Sequence, residues 1–255
     1  MSNLGRYLEF SVRTPDIIDS LGFYKLLGFT ELKIGDVWPH KYAVVSDGVL
    51  SIGLHDRDFE APSITFVQQD IAKHARSMVD HGFIFSFLRL DDDVFNELGF
   101  VDHDGHMITM LEARTFAGGD EFDNDSSCGT WFELALPVRD AVSAARFWAS
   151  VAPVLLRMRE EPTTHMRFDA GGFALGLSES IALDSPSLCF KCHDKNALFE
   201  LIEQHGFKHQ KYPGFEGAFV AIKAPEGTML YAFDADFLGE TYEVDESGDA
   251  SEFPQ

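Results

Sequence analysis

Leu8-Glu9-Phe10 and Phe132-Glu133-Leu134 lie 124 residues apart, and the two glutamates occupy the same place in each triplet. Ser63 follows the first glutamate by 54 residues, and Ser187 follows the second by the same interval. Regular internal spacing of this kind is typical of a duplicated structural unit. The sequence therefore indicates two similar halves before any single motif is considered.

Each half is itself predicted to contain two similar modules. The first module begins with an alternating strand at residues 7–12, after which Pro15 and Asp16 open a helix that Gly28 ends. Strands are expected to follow near residues 30–33, 41–45 and 50–54. The same order of elements recurs three more times, so the sequence predicts an α+β fold of four βαβββ modules.

Composition shifts give the expected domain boundaries. The first domain is predicted at residues 1–116, with modules at 7–60 and 61–116, and the second at 130–238, with modules at 130–182 and 183–238. Residues 117–129 are small and acidic, as expected of a linker between domains. Residues 239–255 are acidic and poor in apolar side chains, which predicts a disordered tail.

Charge and hydropathy exclude several classes of partner. The net charge of −22 argues against nucleic-acid binding and would attract a cationic ligand. No run of about 18 apolar residues predicts a membrane span, and residues 1–6 show no apolar signal region, so we expect a cytoplasmic protein. Cys189 and Cys192 precede His193 in a haem-attachment pattern, but residues three apart on a strand face opposite sides, so we interpret them as buried thiols.

Two further stretches carry a resemblance to a known family. Phe23-Tyr24-Lys25-Leu26-Leu27-Gly28-Phe29 and the turn Asp102-His103-Asp104-Gly105 with its following strand resemble motifs of the vicinal oxygen chelate superfamily. A counterpart of that turn, Ala224-Pro225-Glu226-Gly227, lies in the fourth module. The superfamily includes glyoxalase I, the bleomycin- and fosfomycin-resistance proteins and the extradiol dioxygenases, and the resemblance covers residues 7–235.

The resemblance implies two glyoxalase-like half-barrels, each formed by paired modules around an internal cavity. Enzymes of the superfamily bind a divalent metal there through His or Glu side chains of the first and last strands, and the metal chelates vicinal oxygens of the substrate. The matching positions in this chain are Glu9, Gly53, Ser63 and Thr109 in the first half, and Glu133, Gly176, Ser187 and Tyr231 in the second. Each half thus has one carboxylate among its four positions. If module one instead pairs with module four, and module two with module three, each set again contains one carboxylate. Either pairing therefore predicts an incomplete metal site.

His55 offers the strongest alternative, because it lies two residues beyond Gly53 and faces the same side as Glu9. Glu9 with His55 would form half of a metal site, so a divalent metal stays an open alternative although no cofactor is predicted. In a structural interpretation Glu9 pairs with Arg13 or His55, and Glu133 with Arg139 or Lys191. In the two functional interpretations, each glutamate either anchors a cation or a donor-rich ligand, or acts as a general base. The turn histidines His103 and His106 are interpreted as surface residues.

The function expected is binding of a small cationic or aromatic molecule in an internal aromatic cavity, by a monomer or a homodimer. Candidate ligand-binding residues are Glu9, Ser11, His55, Thr109, Trp38, Glu133 and Tyr231, of which Trp38 lies in a loop that could cover the cavity. The alternative is a metal-dependent lyase, isomerase or dioxygenase acting on a substrate with vicinal oxygens. A third interpretation is a protein-binding or purely structural module.

Overall fold

The computed structural model describes residues 4–33, 40–91, 96–112, 126–151, 154–159, 163–213 and 217–234. The helices are α1 (Ile17–Leu26), α2 (Ile71–Asp80), α3 (Ala141–Val151) and α4 (Lys195–His205). The strands of the first half are β1 (Arg6–Arg13), β2 (Thr30–Glu31), β3 (Tyr42–Ser46), β4 (Ser51–His55), β5 (Ser63–Gln68), β6 (Phe87–Arg89), β7 (Glu97–Val101) and β8 (Met107–Glu112). Those of the second half are β9 (Thr130–Pro137), β10 (Val154–Arg159), β11 (His165–Asp169), β12 (Ala174–Ser178), β13 (Ser187–Cys192), β14 (His209–Gln210), β15 (Phe219–Lys223) and β16 (Met229–Asp234).

The strands form two eight-stranded sheets of identical topology, with the orders β2-β3-β4-β1-β5-β8-β7-β6 and β10-β11-β12-β9-β13-β16-β15-β14. Within each module the first strand pairs in parallel with the last, as β1 does with β4 and β5 with β8. The antiparallel pair of β1 and β5 joins module one to module two, and β9 with β13 joins module three to module four. The predicted α+β fold of four βαβββ modules is confirmed, and each half of the chain forms its own sheet.

Local sequence signals account for the helix ends. The Asp16 carboxylate accepts hydrogen bonds from the backbone N–H groups of Ile18 and Asp19, at 2.9 and 3.2 Å, which caps α1. Gly206 ends α4 in the left-handed conformation, with φ of 65°, where a side chain would be strained. None of the helices in the described ranges is long and apolar enough to cross a membrane.

One hydrophobic core runs through both halves of the molecule. Phe23 of α1 packs against Phe207 with ring centroids 4.8 Å apart, and Tyr7 of β1 stacks on Phe173 at 3.7 Å. Phe147 of α3 packs in turn against Phe83, at 5.7 Å. Aromatic side chains from one half therefore bury those of the other, and the two sheets share a single packed interior.

The two halves also contact each other reciprocally through polar groups. Tyr24 and Ser20 of α1 donate hydrogen bonds to the Glu226 carboxylate, at 2.6 and 2.9 Å. The indole N–H of Trp148 of α3, 124 residues after Tyr24, donates to the Asp102 carboxylate at 3.2 Å. Each half thus supplies a helix side chain that holds the closing turn of the other half.

A bulge in the first strand of each half changes which side chains face the core. The register of β1 against β5 shifts between Tyr7 and Glu9, and that of β9 against β13 shifts between Trp131 and Glu133. Phe132 packs within the interior of the second sheet. It does so because an unpaired residue at a bulge breaks the alternation of faces along the strand.

Candidate functional site

The first sheet curves around a cavity of about 50 Å³. Six of its strands contribute lining side chains, together with the loop that follows β4. Side chains from so many strands can line one cavity because the sheet bends into a half-barrel. The lining comprises Glu9, Ser11, His55, Arg57, Phe59, Glu60, Ser63, Thr65, Phe87, Glu97, Met107, Thr109 and Leu111. Four of the predicted residues, Glu9, Ser11, His55 and Thr109, therefore line one cavity. Hydroxyl and carboxylate side chains account for seven of the thirteen lining residues, and Phe59 and Phe87 supply its phenyl rings, so the cavity is less aromatic than expected.

Glu9 is the central charged group of this cavity, with a side chain that is 4% exposed. Its Oε1 accepts hydrogen bonds from Ser11 Oγ at 2.7 Å and from His55 Nε2 at 2.9 Å. Its Oε2 accepts a short hydrogen bond from the Tyr42 hydroxyl. Hydrogen bonds to an ionised group in a poorly hydrated site are stronger than neutral ones, so these three donors offset much of the cost of burying the charge.

Gly53 makes the position of this carboxylate possible. A Cβ at Gly53 would lie 2.2 Å from Oε1 of Glu9 and 2.3 Å from its Cδ. Gly176 has the same relation to Glu133, where a Cβ would lie 2.4 Å from Oε1. Each glutamate therefore occupies the space of the side chain that a glycine on the neighbouring strand lacks.

His55 connects Glu9 to a second imidazole. Its Nδ1 lies 2.9 Å from Nε2 of His40, while its Nε2 faces Glu9. Burial, with His55 and Arg57 nearby, lowers the pKa of His40 below its usual value. Burial and the Glu9 carboxylate raise the pKa of the Tyr42 phenol, so Tyr42 keeps its proton and donates it to Glu9.

Hydroxyl groups cover the part of the cavity beside Glu9. Ser11 Oγ lies 2.7 Å from Thr65 Oγ1, and because the Ser11 proton goes to Glu9, Thr65 must donate to Ser11. Ser63 Oγ and Thr109 Oγ1 form a second pair, also at 2.7 Å. These side chains come from β1, β5 and β8, at positions that alternate with apolar residues facing the core.

The second half holds Glu133 with different partners. His165 Nε2 lies 3.2 Å from Oε1 of Glu133, and Arg167 Nε lies 3.6 Å from Oε2. The guanidinium of Arg167 also donates to the carbonyl of Phe132 at 2.6 Å and lies 4.4 Å from the centre of its ring. Glu133 is thus held by two cationic or polar groups from β11, which lies one strand beyond β12 in the sheet.

Aromatic side chains occupy the interior of the second half-barrel. The hydroxyls of Tyr231 and Tyr212 are 2.6 Å apart, and Tyr231 packs on Phe219 and Phe233 at 5.4 and 6.1 Å. Burial and Tyr212 raise the pKa of Tyr231, so its hydroxyl remains protonated. Tyr231, predicted as a ligand-binding residue, lies in this packed cluster, away from the cavity around Glu9.

The expected ion pairs of Glu9 with Arg13 and of Glu133 with Arg139 or Lys191 were wrong, whereas the alternative pair of Glu9 with His55 is confirmed. Arg13 binds Asp58 at 2.7 Å, which leaves His55 as the partner of Glu9. Arg139 binds Asp104 across the two halves, at 2.9 Å, and the partners of Glu133 come from β11. Arg13 and Arg139 lie at or just beyond the ends of the first strands, whereas the partners of both glutamates lie on the hairpins β3–β4 and β11–β12.

The turn histidine His106 is buried, which corrects the expectation of a surface residue. Its side chain is 8% exposed, and its Nδ1 lies 2.8 Å from Oδ2 of Asp102. The same carboxylate oxygen accepts the indole N–H of Trp148. His103 is exposed, as predicted, and the centre of its ring lies 5.3 Å from that of Phe147.

Tyr42, His40, Thr65 and Arg167 are site residues that the sequence patterns did not identify. Tyr42 lies directly opposite His55 in the hairpin of β3 and β4, and His165 occupies the same place opposite Ser178 in β11 and β12. The hairpin register counted from Gly53 leads to Tyr42, and the register counted from Gly176 leads to His165. Trp38, the proposed cavity cover, lies outside the described residues, as do residues 117–125 of the predicted linker and the whole predicted tail at 239–255.

The donor set does not fit a catalytic divalent metal. His55 directs one ring nitrogen at Glu9 and the other at His40, and both oxygens of Glu9 are occupied by hydrogen bonds. The other two expected ligand positions with side chains in this half are the hydroxyls of Ser63 and Thr109, which are poor ligands for transition metals. Among the described residues no group of three or more His, Cys, Asp or Glu side chains is placed to hold a metal ion.

Comparison with known proteins gives matches at the level of structure. No protein-family profile and no curated protein matches the sequence. A solved catechol 2,3-dioxygenase is similar with a TM-score of 0.56 and 12% identity, covering 91% of this chain and 88% of that chain. A variant of homoprotocatechuate 2,3-dioxygenase from Brevibacterium fuscum gives 0.59 and 15%, covering 91% and 72%. The 2,3-dioxygenase LapB from Pseudomonas sp. KL28 gives 0.56 and 10%, covering 90% and 91%. Identities this low establish the fold and leave the chemistry to the residues of the site.

Proposed function

We propose that this chain, which has the two-domain fold of the vicinal oxygen chelate superfamily, binds a small molecule in the cavity of its first half-barrel. Glu9 is the charged group that recognises the ligand, and no complete metal site takes part. The observation that carries the proposal is the placement of a buried carboxylate, held by three donors, in the wall of a hydroxyl-lined cavity.

The contrast between the halves supports this assignment. Both halves keep the inward glutamate and its matching glycine, but Tyr212, Tyr231 and Phe219 pack together inside the second half-barrel. These aromatic side chains take up space inside the second half-barrel, whereas hydroxyl side chains line a cavity beside the glutamate of the first. We therefore propose that ligand binding belongs to the first half and that the second half supports it.

A fragment screen by protein-observed NMR tests the proposal, using small neutral, cationic and anionic compounds. We expect saturable shifts at Glu9, Ser63 and Thr109, lost in Glu9→Gln. Glu133→Gln is the matched control, because it makes the same change at the equivalent position of the second half. Shifts that are absent throughout the library, or that survive Glu9→Gln, would contradict the proposal.

The second candidate is a metal-dependent lyase, isomerase or dioxygenase acting on a substrate with vicinal oxygens. It is favoured by the likeness to extradiol dioxygenases over about nine tenths of the chain and by the approach of His55 Nε2 to Glu9. Binding a metal would require both side chains to leave their present partners. Metal analysis after incubation with Zn, Ni, Mn or Fe(II) and desalting tests it. A stoichiometric ion that His55→Ala removes would support this candidate.

Domain boundaries, location, oligomeric state and partner class complete the proposal. We propose domain boundaries at residues 116 and 130, a cytoplasmic location, and a monomer or homodimer. The charge of −22 supports a small cationic or aromatic ligand over nucleic acid as the partner. Size-exclusion chromatography with light scattering tests the oligomeric state.

A further inference from the structure

We infer that the ligand of the first half-barrel carries a primary ammonium group, with its nitrogen beside Glu9 and the hydroxyls of Ser63 and Thr109. This inference rests on the proposed function and specifies the chemical class that the site selects. It follows from the balance of hydrogen-bond donors and acceptors on the cavity wall.

The wall beside Glu9 has a surplus of acceptors. The protons of Ser11 and Thr65 are used within the chain of bonds that ends at Glu9. The Ser63–Thr109 pair uses one of its two protons internally and leaves lone pairs on both oxygens. A carboxylate offers about four lone-pair directions, and three donors reach Glu9. Glu9, Ser63 and Thr109 together therefore present more lone pairs than protons to a ligand.

An ammonium group matches this surplus because it has three donors and no acceptor. It would also neutralise the buried charge of Glu9, which a neutral alcohol would not. A carboxylate or phosphate ligand would place its own lone pairs against those of the wall and its charge beside Glu9. A quaternary ammonium has no N–H to donate, and aromatic boxes of the kind that bind such cations do not surround Glu9 in the described part of the cavity.

The rest of the cavity sets the size and character of the substituent. Phe59, Phe87, Met107 and Leu111 supply apolar surface on which a short carbon chain can pack. Arg57, the cationic lining residue, lies over the ring of Phe59 at 5.7 Å. Glu97 is neutralised by its ion pair with Arg89 and Glu60 is exposed to solvent, so Glu9 is the buried anchor for a cation. The class is therefore a small primary amine with a short apolar substituent.

Titration of the full-length protein with three matched probes tests this inference by protein-observed NMR. The probes are n-propylammonium, n-propanol, which replaces the ammonium by one hydroxyl, and tetramethylammonium, which keeps the charge without N–H donors. We expect n-propylammonium to bind at least about 10-fold more tightly than the other two, the difference expected of hydrogen bonds to a charged group.

Variants locate the effect. Glu9→Gln should weaken n-propylammonium about 10- to 100-fold, and Thr109→Val, which removes one hydroxyl, about 2- to 10-fold. Glu133→Gln and Ser187→Ala make the corresponding changes in the second half and should leave the affinity within about 2-fold. Thr109→Val keeps the inference testable if Glu9→Gln perturbs folding.

The outcomes separate this inference from the proposed function. Tetramethylammonium or n-propanol binding as tightly as n-propylammonium overturns the ammonium class but leaves a binding cavity. Binding of other fragments at Glu9 without binding of n-propylammonium likewise overturns the ammonium class and leaves the proposed function intact. If neither the fragments nor the three probes bind, both the inference and the proposed function are wrong.

Discussion

Replacing Gly53 by alanine should test how tightly the Glu9 carboxylate is fixed. The added methyl would lie 2.2 to 2.5 Å from the carboxylate atoms of Glu9, far inside van der Waals contact, so the carboxylate must move. Moving it weakens the hydrogen bonds from Ser11, Tyr42 and His55, each contributing about 1.5–3 kcal/mol when the acceptor is charged. The cavity gives the displaced group access to water, which recovers part of that loss. We expect Gly53→Ala to lower the free energy of unfolding by about 2–4 kcal/mol.

Urea denaturation of a double-mutant cycle measures this value and its cause. In Glu9→Ala the methyl at position 53 finds the space already empty, so the cost of the double variant should fall short of the summed single costs by about 2 kcal/mol. Gly22→Ala is the control, because nothing lies within 4 Å of its added methyl on helix α1, and it should stabilise by about 0.5–1 kcal/mol. Additive costs for Gly53→Ala and Glu9→Ala would refute the reasoning.

Three further predictions concern the contacts between the halves. Trp148→Phe removes the indole donor to buried Asp102 and should lower the free energy of unfolding by about 1–3 kcal/mol in urea, beyond the cost of Trp131→Phe, whose indole N–H has no hydrogen-bond partner among the described residues. Tyr24→Phe removes the hydroxyl that donates to Glu226 and should cost about 1–3 kcal/mol in the same assay; no change would mean that water replaces it. Burial would raise the pKa of Asp102, but the hydrogen bonds and charge of the adjacent imidazole, with backbone N–H groups, lower it overall. Its contribution is therefore present above about pH 4 and lost as the pH falls through the folded-state pKa, so Asp102→Asn should flatten the acid limb of a stability–pH curve below about pH 4. An unchanged acid limb would contradict the lowered pKa.

The sequence predicted the architecture because the fold repeats. Glu9 and Glu133 mark equivalent strands, and alternation about them distinguishes core residues such as Phe10 from cavity residues such as Ser11. Helix ends were predictable for a local reason, since capping at Asp16 involves backbone within three residues. Interactions that span few residues leave a direct signal in the sequence.

The partners of the glutamates were harder to predict because they depend on register. Tyr42 reaches Glu9 from a hairpin strand 33 residues away, and a shift of one residue would turn it to the other face. His106 was misjudged for a different reason. A turn at a module edge is exposed in an isolated domain, and here helix α3 of the other half covers it. Long-range packing between the halves has no local pattern in the sequence.

The reciprocal contacts of Tyr24 with Glu226 and of Trp148 with Asp102 have a consequence for cooperativity. Opening either half exposes the aromatic side chains that bury the other and removes the donors that hold its turn, so neither half should melt alone. The chain should unfold in a single calorimetric transition, although its repeat could suggest two. A ligand confined to the first half-barrel would then raise the melting temperature of the whole molecule. The packed interior of the second half would in the same way stabilise the first half against thermal unfolding.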